Sequence, residues 1–400
     1  MTTTKELNRN GAQTMNIWNG FPRMHIPASK RLAIQLTAGN ATCYPLYYFI
    51  DTLSKDGRKL VYHRAEAGEV QIHVLDLISG ESRQLTHASS PATCWVPWCV
   101  ESGRGVLDHR SVLDVRTDRL VYFDGNIVRQ VGLDGKEDKQ LFALPEHRIP
   151  IGQNCMSGDG NWFVYIHHDR DLFAKIVELG YGPHRHLSRG TTLAAFNIST
   201  GEQRSLVHIN SPIHHVLPLG AAGLVFCHPA TEIGMLLTDI QGGWYTHMRT
   251  QDEYGGNVCH YLVTQRGIMY EVLGRKDAVL AGLYNPRSQG RVEFRLPSEF
   301  GYTHTGRDPE GRLWFFENSS KTHDLRFLVR HDPAGQDTWL NLTGDWPTYG
   351  SRQKSHFHPQ VTPDRNWILM TAGDPRTETN HLFLLDISDL PETEGIPFVE

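Results

Sequence analysis

The sequence is poor in cysteine and has no long apolar run. Its six cysteines are spread over 400 residues without a Cys-x-x-Cys pair, which excludes a disulfide framework, so we expect them to be reduced packing residues. No apolar run approaches the roughly 20 residues of a membrane span, and the polar segment Met1 to Trp18 lacks the apolar region of a secretion signal. We therefore expect a cytoplasmic protein with no membrane partner.

The chain also has little net charge. The formal charge is −5, and the basic residues are scattered, which argues against a nucleic-acid partner. A hydrophobic content of 39% and a charged content of 21% are ordinary for a globular protein that buries a large core. An anionic small substrate would then need local positive charge, such as a metal ion. The oligomeric state is left open.

A recurring pattern organises the chain. It consists of a turn with Asp-Gly or an equivalent, a β-rich run, a polar gap, a second β-rich run and a glycine-bearing turn. One copy runs from Leu53 to Thr86 and another from Met156 to Glu202. We count about seven copies of roughly 40 to 60 residues each, which is the spacing of four-stranded propeller blades. The sequence therefore predicts an all-β fold, a seven-bladed β-propeller forming a single domain over residues 1–400.

One stretch, from Arg170 to Leu179, has the length and pattern of an amphipathic helix. A doubly wound α/β fold would need such helices between most of its strands, so this alternative is not favoured. We expect a helix-bearing insertion at about residues 167–191 within the third blade. The inner loops of propeller blades open at one end of the central channel, where residues distant in sequence can meet.

Two histidines mark the start of the seventh copy. His356 and His358 precede a strand, and in an extended segment residues i and i+2 point to the same side, so both can converge on one ion. Gln353 can reach the same ion from the preceding turn. Imidazoles together with an amide oxygen suit an octahedral divalent ion better than a closed structural zinc site.

Histidines also stand at the equivalent place in the three preceding copies. His304 precedes the sixth copy, His260 the fifth, and His214 with His215 the fourth. Structural histidines bonded to the backbone at blade turns are the alternative interpretation. Recurrence at one position in four consecutive blades instead favours a metal or catalytic cluster.

The same stretches carry a family resemblance. The chain resembles the oligogalacturonate lyases, seven-bladed propellers that split short pectic oligosaccharides by β-elimination with a manganese-type divalent ion. The matching stretches, within about residues 35 to 390, are Tyr44–Phe49 with Ser54–Leu60, Ile213–Val216, Phe226–His228, Cys259–His260, His304 and Gln353–Pro363. The resemblance implies that the family's metal set of three histidines and a glutamine falls on His304, Gln353, His356 and His358, and that the cofactor is a divalent metal such as Mn²⁺.

One position departs from the family's pattern. Where that family has an arginine thought to act as the base, this sequence has Gly234. The missing guanidinium removes either the base or the partner of a substrate carboxylate. We therefore expect another base, poor activity on plain oligogalacturonate, and a preference for another uronate-containing oligosaccharide.

The resemblance implies a lyase that removes the C5 proton of a uronate. His215 and His260 are candidates for the base, because each can titrate near neutrality, and Arg189 is a third candidate. The residues expected to bind the substrate are Tyr47, His186, His228, Arg249 and Tyr302.

Two alternative functions stay open. A glycoside hydrolase on the same scaffold would ordinarily need a pair of carboxylates at the scissile bond, and the nearest acidic pair, Asp252 and Glu253, reads better as part of a solvated loop. A catalytically inactive propeller that binds metal is the other alternative.

Overall fold

The structure is a computed structural model that describes residues 14–92, 103–179, 190–209, 213–228, 234–249, 257–273, 279–300, 303–318, 323–350 and 354–397. The described strands form seven sheets in which nearly all neighbouring strands are antiparallel. The fold is a seven-bladed β-propeller, so the predicted fold class is confirmed.

The strands follow one another along the chain in short antiparallel series. The first strands of the described residues are β1 (Arg23–His25) and β2 (Leu32–Gln35). Sheet 1 comprises β3 (Thr42–Pro45), β4 (Lys59–Glu66), β5 (Glu69–Asp76), β6 (Ser82–Gln84), β7 (Pro91–Ala92) and β8 (Gly103–Gly105). Sheet 2 comprises β9 (Val112–Asp114), β10 (Arg119–Asp124), β11 (Ile127–Gly132) and β12 (Lys139–Ala143).

Sheets 3, 4 and 5 continue the series. Sheet 3 comprises β13 (Arg148–Pro150), β14 (Cys155–Met156), β15 (Trp162–Asp169), β16 (Thr191–Asn197) and β17 (Gln203–Ile209). Sheet 4 comprises β18 (His215–Leu219), β19 (Gly223–His228), β20 (Gly234–Asp239) and β21 (Thr246–Arg249). Sheet 5 comprises β22 (Asn257–Thr264), β23 (Gly267–Leu273), β24 (Leu280–Tyr284) and β25 (Arg291–Arg295).

The last two sheets differ in whether their strands are consecutive in the sequence. Sheet 6 comprises β26 (Thr303–Thr305), β27 (Trp314–Asn318), β28 (Asp324–Arg330) and β29 (Thr338–Asn341). Sheet 7 combines β30 (Gln360–Val361), β31 (Trp367–Asp374) and β32 (Thr379–Asp386) with β1 and β2. Because Ala33 of β2 pairs with Leu385 of β32, the beginning and the end of the chain are hydrogen-bonded within one sheet.

The helix α1 (Arg170–Leu179) lies between β15 and β16 of the third sheet, as predicted. Asp169 caps it, because its carboxylate accepts hydrogen bonds from the backbone N–H groups of Asp171 and Leu172, at 3.1 and 3.0 Å. Phe173 and Ile176 are its buried residues. No helix of the described residues is long and apolar enough to cross a membrane.

The chain divides into two compact units with separate cores. One unit consists of Met1–Glu66, Ile72–Gln84 and Glu299–Phe398, and the other of Ala67–Gln71, Leu85–Ser298 and Val399–Glu400. Apolar side chains from alternate strand positions fill each core, and Cys43 in the first and Cys155 in the second are among them. That residues 1–400 form a single domain stays a prediction.

Leu384→Ala should reveal how strongly sheet 7 depends on its core. Leu384 lies on β32 opposite Ile34 of β2, and both are buried. Truncation leaves a cavity, so the free energy of unfolding should fall by about 2–5 kcal/mol in urea titrations. Ile78→Ala, at a site that is 39% exposed, should change it by no more than about 0.5 kcal/mol. An equal decrease in the free energy of unfolding for the two variants would contradict the dependence of sheet 7 on its buried core.

Candidate metal centre

His304 and Glu317 form the fixed part of the site. His304 lies on β26 directly opposite Glu317 of β27, and both side chains are buried. The imidazole Nδ1–H donates to Oε1 of Glu317 at 3.2 Å. The first two strands of sheet 6 therefore hold an imidazole against a carboxylate.

Backbone pairing brings the segment with His356 and His358 alongside sheet 6. Arg307 pairs in parallel with Gln360 of β30, since its N–H donates to the carbonyl of Pro359 at 2.9 Å and its carbonyl accepts from Val361 at 2.8 Å. Gly306 permits this approach, because a Cβ there would lie 2.6 Å from Cβ of Phe315 and 3.2 Å from Cγ of Pro359. The segment before β30 is thereby fixed next to β26.

The three imidazoles converge. The ring centroids of His304 and His356 are 4.5 Å apart, those of His304 and His358 5.0 Å, and those of His356 and His358 5.5 Å. The prediction of an extended segment is wrong at His358, whose backbone is left-handed with φ 46°. Left-handed backbone at a residue other than glycine costs about 1–3 kcal/mol and is found at functional sites.

Glu317 organises all three histidines. Its Oε1 accepts from Nδ1–H of both His304 and His356, and its Oε2 accepts from the backbone N–H of His358 at 2.8 Å. Burial alone would raise the pKa of Glu317, but the charges and hydrogen bonds of His356 and His304 hold it well below its usual range. When each ring is neutral, donation of Nδ1–H to the ionised carboxylate leaves the lone pair of the ring on Nε2.

Tyrosines pack around the rings. The ring of Tyr47 lies 4.9 Å from that of His358, and the ring of Tyr48 lies 5.0 Å from that of His304. The side-chain amide of Gln360 donates to the backbone carbonyls of Tyr47 and Ile50, which ties this turn to β30. Tyr47 is only 1% exposed, so its predicted contact with substrate stays a prediction, while its contact with the cluster is direct.

This donor set fits a divalent transition-metal ion. Ligand atoms of His304, Glu317 and His356 all lie within 4.8 Å of one another. Imidazole nitrogens suit borderline divalent ions, and a carboxylate that receives Nδ1–H from metal-binding histidines is the usual outer partner in such sites. The hydrogen bonds assign Glu317 to the orientation of the rings, and binding of the ion by the imidazoles stays a prediction.

A second buried histidine and glutamate pair lies in the other unit. His260 donates Nδ1–H to Oε2 of Glu271 at 2.8 Å, and both are buried. His260 also has a left-handed backbone, with φ 48°, at a bulge in β22 between Cys259 and Leu262. His215 is buried, and this burial, together with the charge of His260, lowers its pKa to about 3.

Other predicted site residues are not placed. Gln353, His186, Arg189 and Tyr302, and the acidic pair Asp252 and Glu253, lie outside the described residues. His228 ends β19 and Arg249 ends β21, and these two are described by their backbone alone. Their assigned roles stay predictions.

Comparison with known proteins extends this picture. No protein-family model matches the sequence. An oligogalacturonide lyase of Pectobacterium atrosepticum is 21% identical over 371 residues, which cover 85% of this chain and 89% of that protein. The structure of an oligogalacturonate lyase in complex with manganese superposes with a TM-score of 0.76 at 21% identity, covering 95% of this chain and 99% of that one. The resemblance to the oligogalacturonate lyases is confirmed.

An oligogalacturonate lyase of Vibrio parahaemolyticus has the same fold. Its structure superposes with a TM-score of 0.76 at 16% identity over 93% of this chain and 97% of that one. At this low sequence identity, the similarity to lyase structures shows only that the fold is shared. The arrangement of the site is seen in the residues of this chain.

Sequence reasoning on this lyase-like chain missed Glu317 and Glu271. Each is the lone carboxylate of its strand: Glu317 follows three aromatic residues in Trp314–Asn318, and Glu271 lies among apolar and aromatic residues in Gly267–Leu273. A buried carboxylate requires a hydrogen-bonding partner, and each of these strands follows a strand with a rim histidine. That combination was the signal that could have found them.

Glu317→Gln should weaken metal binding without unfolding the protein. The amide has the size of the carboxylate, but its NH₂ group must face an N–H donor, and the ionised partner of two imidazoles is lost. We expect the affinity for Mn²⁺ to fall about 10–100-fold in calorimetric titrations.

Glu392→Gln is the matched control, since this glutamate is 53% exposed and pairs with Arg312; its metal affinity should equal that of the wild type. Unchanged affinity in a folded Glu317→Gln variant would contradict the assignment.

Proposed function

We propose that the protein is a lyase that cleaves a uronate-containing oligosaccharide by β-elimination and leaves a 4,5-unsaturated uronate. The observation that carries this proposal is the cluster of His304, His356 and His358 around the buried carboxylate of Glu317. Support comes from the curated relative named as an oligogalacturonide lyase and from the superposed lyase structure that holds manganese.

The metal would be held by His304, His356 and His358, with Gln353 as the fourth protein ligand. Bound there by neutral ligands, a divalent cation such as Mn²⁺ supplies a Lewis acid that stabilises the negative charge developing on a uronate carboxylate. Glu317 makes the cluster rigid, because its carboxylate holds the rings of His304 and His356 and the backbone N–H of His358.

His260 is the base we favour among the predicted candidates. Glu271 accepts its Nδ1–H, so the lone pair lies on Nε2, and the carboxylate stabilises the positive charge that the ring gains with a proton. His215 is a poorer base, since burial lowers its pKa to about 3. Its position is fixed, since its backbone carbonyl accepts from the hydroxyl of Tyr261 at 3.2 Å.

The reaction balances without water. The base takes the C5 proton, the electrons of that C–H bond form the C4=C5 double bond, and the C4–O4 bond breaks. The departing oxygen takes a proton and becomes the new chain end. A glycoside hydrolase would consume water and use paired carboxylates, whereas the described cluster contains histidines and one carboxylate engaged in orienting them.

Gly234 bears on substrate choice. It is the first residue of β20 and has a left-handed backbone with φ 67°, a conformation that arginine adopts only at a cost. Introducing arginine there would therefore perturb the strand as well as add charge. We propose that the protein prefers a uronate other than plain galacturonate. Activity on a panel of uronate substrates tests this preference. The cytoplasmic location stays a prediction.

The purified protein should produce an ultraviolet-absorbing product from uronate oligosaccharides, because the new double bond is conjugated with the carboxylate. Chelation should abolish the signal, and Mn²⁺ should restore it. The absorbance should be followed on oligogalacturonides, mixed-linkage uronates and a neutral oligosaccharide as the control. New reducing ends without this absorbance would refute the lyase assignment.

His260→Ala should lower kcat by about 10²–10⁴-fold if this ring is the base, with little change in bound Mn²⁺. Glu271→Gln should lower kcat less, since it removes only the partner of Nδ1. His215→Ala serves as the comparison and should retain more activity than His260→Ala. Full activity of a folded His260→Ala variant would exclude His260 as the base.

A further inference from the structure

A cavity of about 360 Å³ opens on sheet 3 and shares no residue with the histidine cluster. Tyr165 and His167, which share one face of β15 by their alternation, contribute to its lining. Arg148 of β13, the exposed His147 and Arg204 of β17 complete its polar lining together with Gln203 and Ser205. A volume of this size accommodates a small ligand of one or two rings.

Arg148 is held in place before any ligand arrives. Its Nε–H donates to Nδ1 of His167 at 2.7 Å, and Nη2 donates to the carbonyl of Gly190 at 2.8 Å and to the hydroxyl of Thr192 at 3.1 Å. Among the described residues, none accepts a hydrogen bond from Nη1. A guanidinium fixed through two of its nitrogens offers the third to a ligand at little cost in side-chain entropy.

The bond from Arg148 also sets the tautomer of His167. Because Nδ1 accepts, the ring proton lies on Nε2, which is then a donor. Burial, and after it the charges of Arg148, His168, His147 and His208, lower the pKa of His167 to about 3, so the ring stays neutral. Burial likewise raises the pKa of Tyr165 to about 12, so its hydroxyl keeps its proton.

Two carboxylates lie near this cavity, and each interacts with one of its arginines, Glu202 with Arg204 and Asp169 with Arg148. Glu202 accepts from Nε of Arg204 at 2.6 Å, and Asp169 caps α1. Neither contributes to the lining, which contains no aspartate or glutamate among the described residues. The lining itself presents N–H and O–H donors and two guanidinium groups, partly balanced by these carboxylates, beside an aromatic ring, which is an environment for an anion.

We propose that this cavity is a second binding site for a sugar that carries a carboxylate, a uronate residue. The carboxylate binds Nη1 of Arg148 and Nε2–H of His167, while the sugar ring packs near Tyr165. The choice of a uronate rests on the proposed function; the preference for an anion rests on the cavity alone.

The test is calorimetric titration of the full chain with monomeric galacturonate, which has no glycosidic bond to cleave. It is done with Mn²⁺ present and after exhaustive chelation, so binding at the cavity does not depend on the metal or on turnover. We expect binding in both conditions, at least tenfold weaker binding of galactose, and at least tenfold weaker binding by Arg148→Met after chelation.

The variants localise the site. Arg129→Met is the matched control, since Arg129 pairs with Asp138 on sheet 2 outside the cavity, and it should bind like the wild type. Tyr165→Phe keeps the ring and removes one donor, so it should bind several-fold more weakly and serves if Arg148→Met fails to fold.

Three outcomes would overturn the proposal: no binding of galacturonate to chelated protein, equal binding of galactose, or equal binding of inorganic phosphate. Loss of lyase activity with intact galacturonate binding would count against the proposed function alone.

Discussion

The buried charge of Glu317 is the constraint on which the candidate site depends. A carboxylate removed from water is costly unless hydrogen bonds replace its hydration. Here three N–H groups do so, from His304, His356 and the backbone of His358. The donors belong to two separate stretches of the chain, so satisfying one charge fixes the relative placement of both. The rings are thereby positioned before any ion binds.

The blade supplies this arrangement more than once. In sheets 5 and 6 a histidine on the first strand donates Nδ1–H to a glutamate on the second. In sheet 6 the carboxylate also receives His356, whereas in sheet 5 Glu271 meets His260 across a bulge. The same local geometry thus occurs in a cluster of three histidines in one unit and in a pair of one histidine and one glutamate in the other, and we expect different chemistry from each.

The fold was predictable because its signals are local. Strand alternation, turn residues and the amphipathic pattern of Arg170–Leu179 each act over a few residues. The meeting of His304 with His356 and His358 followed from repeat equivalence. Glu317 and the left-handed φ of His358 did not, because both depend on contacts between strands that no spacing along the chain encodes.

The pairing of β2 with β32 has a consequence for the biosynthesis of the protein. The backbone N–H of Leu382 donates to the hydroxyl of Thr37 across 345 residues. Closing so long a loop is entropically unfavourable until contacts between the strands can compensate for it. His356 and His358 lie just before the strands that complete this sheet. During synthesis the carboxylate of Glu317 therefore lacks its donors from His356 and His358, 39 and 41 residues later in the chain, until that segment has been made.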